Sequence, residues 1–148
     1  MPEKKETIVV SACLLGEKCR YDGQLINNKQ VDEIAKEYAI IPVCPEVLGG
    51  LPTPRAAAEI DSGDGNCVLD SNARVLTDNG EDVTDKFLNG AHETLRIAKR
   101  CGASKAIMKS KSPSCGVYGI IRNGRLCDGI GVTAALLKRH GFSLEEID

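Results

Sequence analysis

Three short apolar runs, separated by segments of helical period, constrain this chain more than any other feature. Ile8-Val9-Val10-Ser11-Ala12 is the first, Ala39-Ile40-Ile41-Pro42-Val43 the second, and Lys105-Ala106-Ile107-Met108-Lys109 the third. Runs this short and rich in β-branched residues read as buried strands. Residues 29–38 instead carry Val31, Ile34, Ala35 and Tyr38 at the i, i+3, i+4, i+7 spacing of an amphipathic helix. Strand and helix patterns that alternate in this way predict an α/β fold with a parallel core. Pro42 inside the second run predicts an irregular or edge strand.

The remaining segments extend that pattern. Residues 44–55 are dense in Pro and Gly and read as a long loop. Residues 66–77 alternate loosely around Asp70-Ser71-Asn72 and suggest a hairpin or an excursion from the main sheet. Thr84 or Asp85 is placed to cap a helix running to about Arg100, with Phe87, Leu88, Ala91, Leu95, Ile97 and Ala98 as its apolar stripe and Gly102 as its stop. Asn123-Gly124 between residues 118–121 and 125–127 is a strong hairpin signal. Helix is expected over 131–139, and a last short strand over 142–144. There is no repeat, low-complexity segment or linker, so residues 1–148 read as one domain.

Each apolar run leads to a cysteine: Cys13, Cys44, and, after a Ser- and Lys-bearing loop, Cys115. If the runs are parallel strands, their carboxyl ends face one crevice, where open α/β sheets bind ligands. Three thiolates distant in sequence would then share a site, which suits a soft metal centre with one open position. Structural zinc prefers four ligands, often in closely spaced cysteine pairs, and no such pair exists here. The two histidines, His92 and His140, fall on expected helices. An iron–sulfur cluster normally has four thiolates, so three would leave one iron for an exogenous ligand. Cys67, Cys101 and Cys127 read as packing residues. Cys19, in the loop after Cys13, is open between packing, ligand and redox partner. Glu46, two residues after Cys44, is placed to move protons at such a crevice. Ser110, Ser112 and Ser114 offer hydroxyls, and Lys109 and Lys111 offer positive charge.

Composition excludes other classes. With 19 basic and 21 acidic side chains the formal charge is −2, which argues against a partner that is a nucleic acid polymer. Five aromatics (Phe87, Phe142, Tyr21, Tyr38 and Tyr118) are too few for a base-stacking platform. The first apolar run is too short for a signal peptide or a membrane span, so a cytoplasmic location is expected. In a reducing cytoplasm the seven cysteines stay thiols, and their odd number suits a disulfide framework poorly.

Three stretches also carry a resemblance. Ser11-Ala-Cys-Leu-Leu-Gly16 with Cys19-Arg-Tyr-Asp-Gly23, then Cys44-Pro-Glu-Val-Leu-Gly-Gly-Leu-Pro-Thr-Pro-Arg55, then Lys111-Ser-Pro-Ser-Cys-Gly116 resemble the 2-thiouracil desulfurase family in order and over nearly the whole chain. The resemblance implies a compact Rossmann-like domain, with a short parallel sheet flanked by helices and added β-hairpin excursions. It implies a [4Fe–4S] cluster held by Cys13, Cys44 and Cys115, with one open iron that takes the sulfur of a small thiolated nucleobase. Glu46 would be the acid/base carboxylate and Ser112 the catalytic serine, with Ser110 close enough in the motif to be confused with it. Residues 56–58 depart from the family pattern, reading Ala-Ala-Ala where a proline is expected. Three rival readings remain at this point: a non-catalytic cluster-binding protein, a redox enzyme using Cys13 and Cys19, and a family member that acts on sulfur in something other than a free base.

Overall fold

The computed structural model describes residues 5–15 and 29–148. Its centre is a four-stranded parallel sheet of β1 (Glu6–Ser11), β2 (Tyr38–Val43), β5 (Lys105–Lys109) and β8 (Ser143–Ile147), in the order β2-β1-β5-β8. Strand β1 is internal, and Ile8, Val9 and Val10 have no exposed surface. The two-residue period of a strand sends alternate side chains to opposite faces. Val9, Ala106 and Met108 thus join the larger core, while Ile8, Val10 and Ile107 join a second cluster with Leu14. A parallel sheet needs both faces covered, and the two clusters reflect that cover. Helix α1 (Lys29–Glu37) leads into β2, and its Ile34 packs on the second cluster. Helices α4 (Thr84–Arg100) and α5 (Val132–Arg139) contribute to the larger core.

The expected strands are present, with β1 beginning at Glu6 and ending at Ser11 before a 3₁₀ turn, Ala12–Leu15. Strand β2 is an edge strand, as Pro42 foretold, because an edge leaves the missing N–H without a ladder partner. The last strand is longer than expected and pairs with β5 over five residues. Helix α4 buries Phe87, Ala91, Leu95 and Ala98 along one stripe. Its cap differs from expectation: the Asp82 carboxylate, outside the helix, accepts the Thr84 N–H at 2.9 Å, while the Thr84 hydroxyl accepts the Val75 N–H at 2.9 Å.

Two regions depart further from the sequence reading. Residues 44–55 are not wholly loop, because Pro45–Leu48 forms a short helix, α2, with Pro45 in its first turn. Pro is acceptable there, since the first N–H groups of a helix have no internal partner anyway. Residues 66–77 are an excursion from the main sheet, the second of the two expectations, and not a hairpin. Gly65–Leu69 is a helix, α3, started by the Asp64 carboxylate accepting the Asn66 N–H at 2.9 Å, and Cys67 lies within it. The strand partner of β4 (Val75–Thr77) is β3 (Ala58–Ile60), an antiparallel pairing that the Ala-rich sequence did not announce. Strands β6 (Gly119–Arg122) and β7 (Arg125–Asp128) form the expected hairpin, with Asn123 and Gly124 both at positive φ, 53° and 73°. Among the described residues no helix is long and apolar enough to cross a membrane.

Candidate active site at the sheet switch point

The chain leaves β1 toward β2 on one side and returns to β5 on the other, so the strand order reverses at the carboxyl ends of β1 and β5. A crevice of about 340 Å³ opens there. Cys13, in the turn after β1, Cys44, between β2 and α2, and Cys115, in the loop after β5, all line it. Glu46, Arg55 and the serines 110, 112 and 114 line the same space. The structure thus gathers the three cysteines that strand ends alone had nominated, together with Glu46 and Ser112.

The donor set has a definite character. Cys115 is buried, while Cys13 and Cys44 are half-buried. Burial pushes the Cys115 thiol up to about 12, against the pull of hydrogen bonds from Ser11 and Ser114, with the charges of Glu46 and Cys44 adding to the rise. A bare thiolate is disfavoured there, and a bound cation is what would stabilise it. Among the described residues no three His, Cys, Asp or Glu side chains gather closely enough to hold a single metal ion. Three sulfur donors lining one crevice fit a soft metal centre by donor type.

Glu46 stands in the first turn of α2. Its Oε2 accepts hydrogen bonds from Arg55, Nε at 2.8 Å and Nη2 at 2.6 Å, and its Oε1 accepts the Ser114 hydroxyl at 2.9 Å. Ser114 Oγ lies 3.0 Å from Ser112 Oγ, which in turn accepts the backbone N–H groups of Ser114 and Cys115 at 3.1 Å each. Ser110 also lines the crevice, but its hydroxyl donates to the Asp148 carboxylate, and Lys111 Nζ lies 3.6 Å from the same oxygen. Of the two serines that the motif left confusable, Ser112 is the one joined to Glu46.

Two close backbone approaches hold the loops in register. Gly131, at the amino end of α5, lies against the Cys115 loop. A Cβ there would stand 2.5 Å from the Ser114 carbonyl carbon and 2.8 Å from the Cys115 nitrogen. The first N–H groups of α5 are consequently satisfied by that loop, Val132 by the Pro113 carbonyl at 2.8 Å and Thr133 by the Ser114 carbonyl at 2.9 Å. On the opposite side, Gly90 of α4 lets α2 approach so closely that a Cβ would stand 1.9 Å from the Pro45 oxygen.

A family model for 2-thiouracil desulfurase matches residues 8–147. This chain belongs to the 2-thiouracil desulfurase family. The desulfurase-family chain is 44% identical over 138 residues to the uncharacterized protein YbbK of Bacillus subtilis (strain 168), covering 91% of each. Its fold is similar to the solved structure of TudS, a [4Fe-4S]-dependent thiouracil desulfidase, with a TM-score of 0.83 and 41% identity over 96% of this chain and 91% of that one. The family resemblance and the α/β class expected from sequence both hold.

Within this desulfurase-family site, Ser11 and Arg55 had no role assigned from sequence, and Ser114 was noted only as one of three loop hydroxyls. Arg55 closes the second motif and Ser114 sits inside the third, so both were visible as letters. Their roles depend on partners far along the chain, Glu46 being 68 residues from Ser114. Three cysteines read as packing residues lie outside the crevice. Cys67 does pack against the core, but Cys101 is exposed at the end of α4, and Cys127 is only half-buried on the β6–β7 hairpin. Hairpins open on one face and helix ends leave cysteine partly in solvent, which periodicity alone does not reveal. Cys19 lies outside the described residues. His92 is exposed on α4 and His140 at the end of α5.

Proposed function

We propose that this chain desulfurates 2-thiouracil or a closely similar thiolated nucleobase, acting as a single desulfurase-like domain over residues 1–148 in the reducing cytoplasm. The reaction exchanges the thiocarbonyl sulfur for the oxygen of water, C=S + H₂O → C=O + H₂S, with no net redox change. The observation that carries this reading is the meeting of Cys13, Cys44 and Cys115 with Glu46 and Ser112 on one crevice.

Cys13, Cys44 and Cys115 would hold a [4Fe–4S] cluster. When bound through three thiolates, the cluster supplies one iron with an open position, a soft Lewis acid suited to a thiocarbonyl sulfur. The chain's own residues do the rest. Pro113, Ala57, Ala58 and Ile121 give the crevice apolar walls for a planar ring. A space of about 340 Å³ suits a free base rather than a polymer. Glu46 accepts the proton that a water gives up as its oxygen attacks the substrate carbon, acting as general base. Arg55 holds that carboxylate by a two-point fork, so its orientation is set before substrate arrives. Ser112 orients the substrate or the water at the crevice wall.

The test is anaerobic incubation of the purified protein with 2-thiouracil, following sulfide release and uracil formation in parallel with iron and acid-labile sulfide content. Stoichiometric uracil and sulfide from iron-loaded protein is the expected result. Loaded protein that releases neither would refute the reading.

A further inference from the structure

The hydrogen bonds among Ser112, Ser114 and Glu46 have a direction that donor and acceptor counting decides. A serine hydroxyl has one hydrogen to give and two lone pairs. Both lone pairs of Ser112 Oγ are engaged by the N–H groups of Ser114 and Cys115. Its hydrogen is therefore what spans the 3.0 Å to Ser114 Oγ. Ser114, having accepted that bond, gives its own hydrogen onward. Two acceptors are in reach, Glu46 Oε1 at 2.9 Å and Cys115 Sγ at 3.5 Å. The carboxylate is nearer and is the stronger acceptor, so it takes the hydrogen.

Burial separates the roles of the two serines. Ser114 is 2% exposed, whereas Ser112 is half-buried at the crevice wall. The two backbone N–H groups aimed at Ser112 Oγ fix its position and leave it no free lone pair.

We propose that Ser114 is a positioning residue: held by the Ser112 hydroxyl, it donates to Glu46 Oε1 and fixes that carboxylate as the base facing the crevice. The inference rests on the desulfurase reading for the identity of the proton donor in the crevice. As water attacks, its proton passes to the lone pair of Glu46 Oε1 that the Ser114 hydroxyl leaves free, and the proton on Glu46 is then available to the departing sulfide. Glu46 thus receives a proton from the crevice without turning away from Arg55.

The experiment compares Ser114→Ala and Ser114→Thr with the wild type, all purified without air. Ser114→Ala is expected to keep its iron and acid-labile sulfide and a KM for 2-thiouracil within about twofold, while kcat falls about 100-fold, the low end of general acid–base contributions. Ser114→Thr, which keeps a hydroxyl, recovers at least about tenfold of that loss. Infrared spectra of the same proteins provide a readout independent of turnover. The carboxylate band that disappears in Glu46→Gln should shift in Ser114→Ala and stay in place in Ser112→Ala. A Ser114→Ala kcat within twofold of wild type, or an unmoved Glu46 band, overturns the proposal. Loss of iron from Ser114→Ala also overturns it, since Ser114 would then serve Cys115 instead. Failure of the desulfurase reading looks different: wild-type protein releases no sulfide from 2-thiouracil, while the infrared shift persists.

Discussion

Glu46 and Arg55 are nine residues apart in sequence and meet as a two-point ion pair, Nε at 2.8 Å and Nη2 at 2.6 Å from the same carboxylate oxygen. Their side chains are only 16% and 7% exposed, and Arg55 is further held by the Pro52 carbonyl and the Thr53 hydroxyl. Removing one partner leaves the other charge buried without compensation, which costs about 3–5 kcal/mol in comparable pairs. Arg55→Ala is therefore expected to lower the free energy of unfolding by about 3 kcal/mol. Arg55→Lys should lose less, keeping charge but not the planar fork. Urea denaturation of the two variants checks both.

Glu46→Gln keeps the shape of the side chain and removes its proton-accepting charge. Iron and acid-labile sulfide should stay at wild-type levels while sulfide release from 2-thiouracil is abolished. A variant that turns over at the wild-type rate would remove Glu46 from the mechanism.

Cys13→Ala, Cys44→Ala and Cys115→Ala each delete one proposed cluster ligand. Iron content after anaerobic purification should fall sharply in all three. Cys101→Ala, at an exposed position outside the crevice, should not alter it. A fully loaded Cys115→Ala protein would refute its assignment.

Gly131→Ala tests how the Cys115 loop is seated. The new Cβ would meet the Ser114 carbonyl carbon at 2.5 Å, and the atoms it meets are backbone, which cannot swing aside. Overpacking of this kind costs about 1–3 kcal/mol. The expected result is a lower thermal midpoint together with reduced iron occupancy, read by calorimetry and iron analysis.

Asp61 gives a pH-dependent contribution of known sign. The Arg74 backbone N–H, at 2.8 Å from Asp61 Oδ1, holds this carboxyl below its ordinary 3.8, helped by the Arg74 side chain and by Ser62. A carboxyl depressed in the folded state stabilises above its unfolded value and loses that contribution as pH falls through the folded one. Asp61→Asn should therefore be less stable than wild type at pH 6, with the difference shrinking as pH falls below 3.8. Denaturant midpoints across that range measure it.

Much of this was legible in the letters. The short apolar runs at 8–12, 39–43 and 105–109 are strands because β-branched residues in runs too short for a helix have few alternatives. Asn123-Gly124 makes its turn because both positions tolerate positive φ. The α3 helix was missed because Gly65-Asn66-Cys67-Val68-Leu69 is poor in helix formers, and it stands on the Asp64 cap and its packing against α5. Strand β3 was missed because Ala58-Glu59-Ile60 carries too short a pattern to announce a strand.

Cysteines at strand ends, a carboxylate beside one of them and three motifs in order were determined by sequence alone, since each is a property of a short stretch of chain. The strand order β2-β1-β5-β8, the seating of Gly131 against the Cys115 loop, and the joining of Ser112 through Ser114 to Glu46 were decided only by tertiary structure. A hydrogen bond between residues 68 positions apart depends on distances of tenths of an ångström, which packing sets and local pattern does not record.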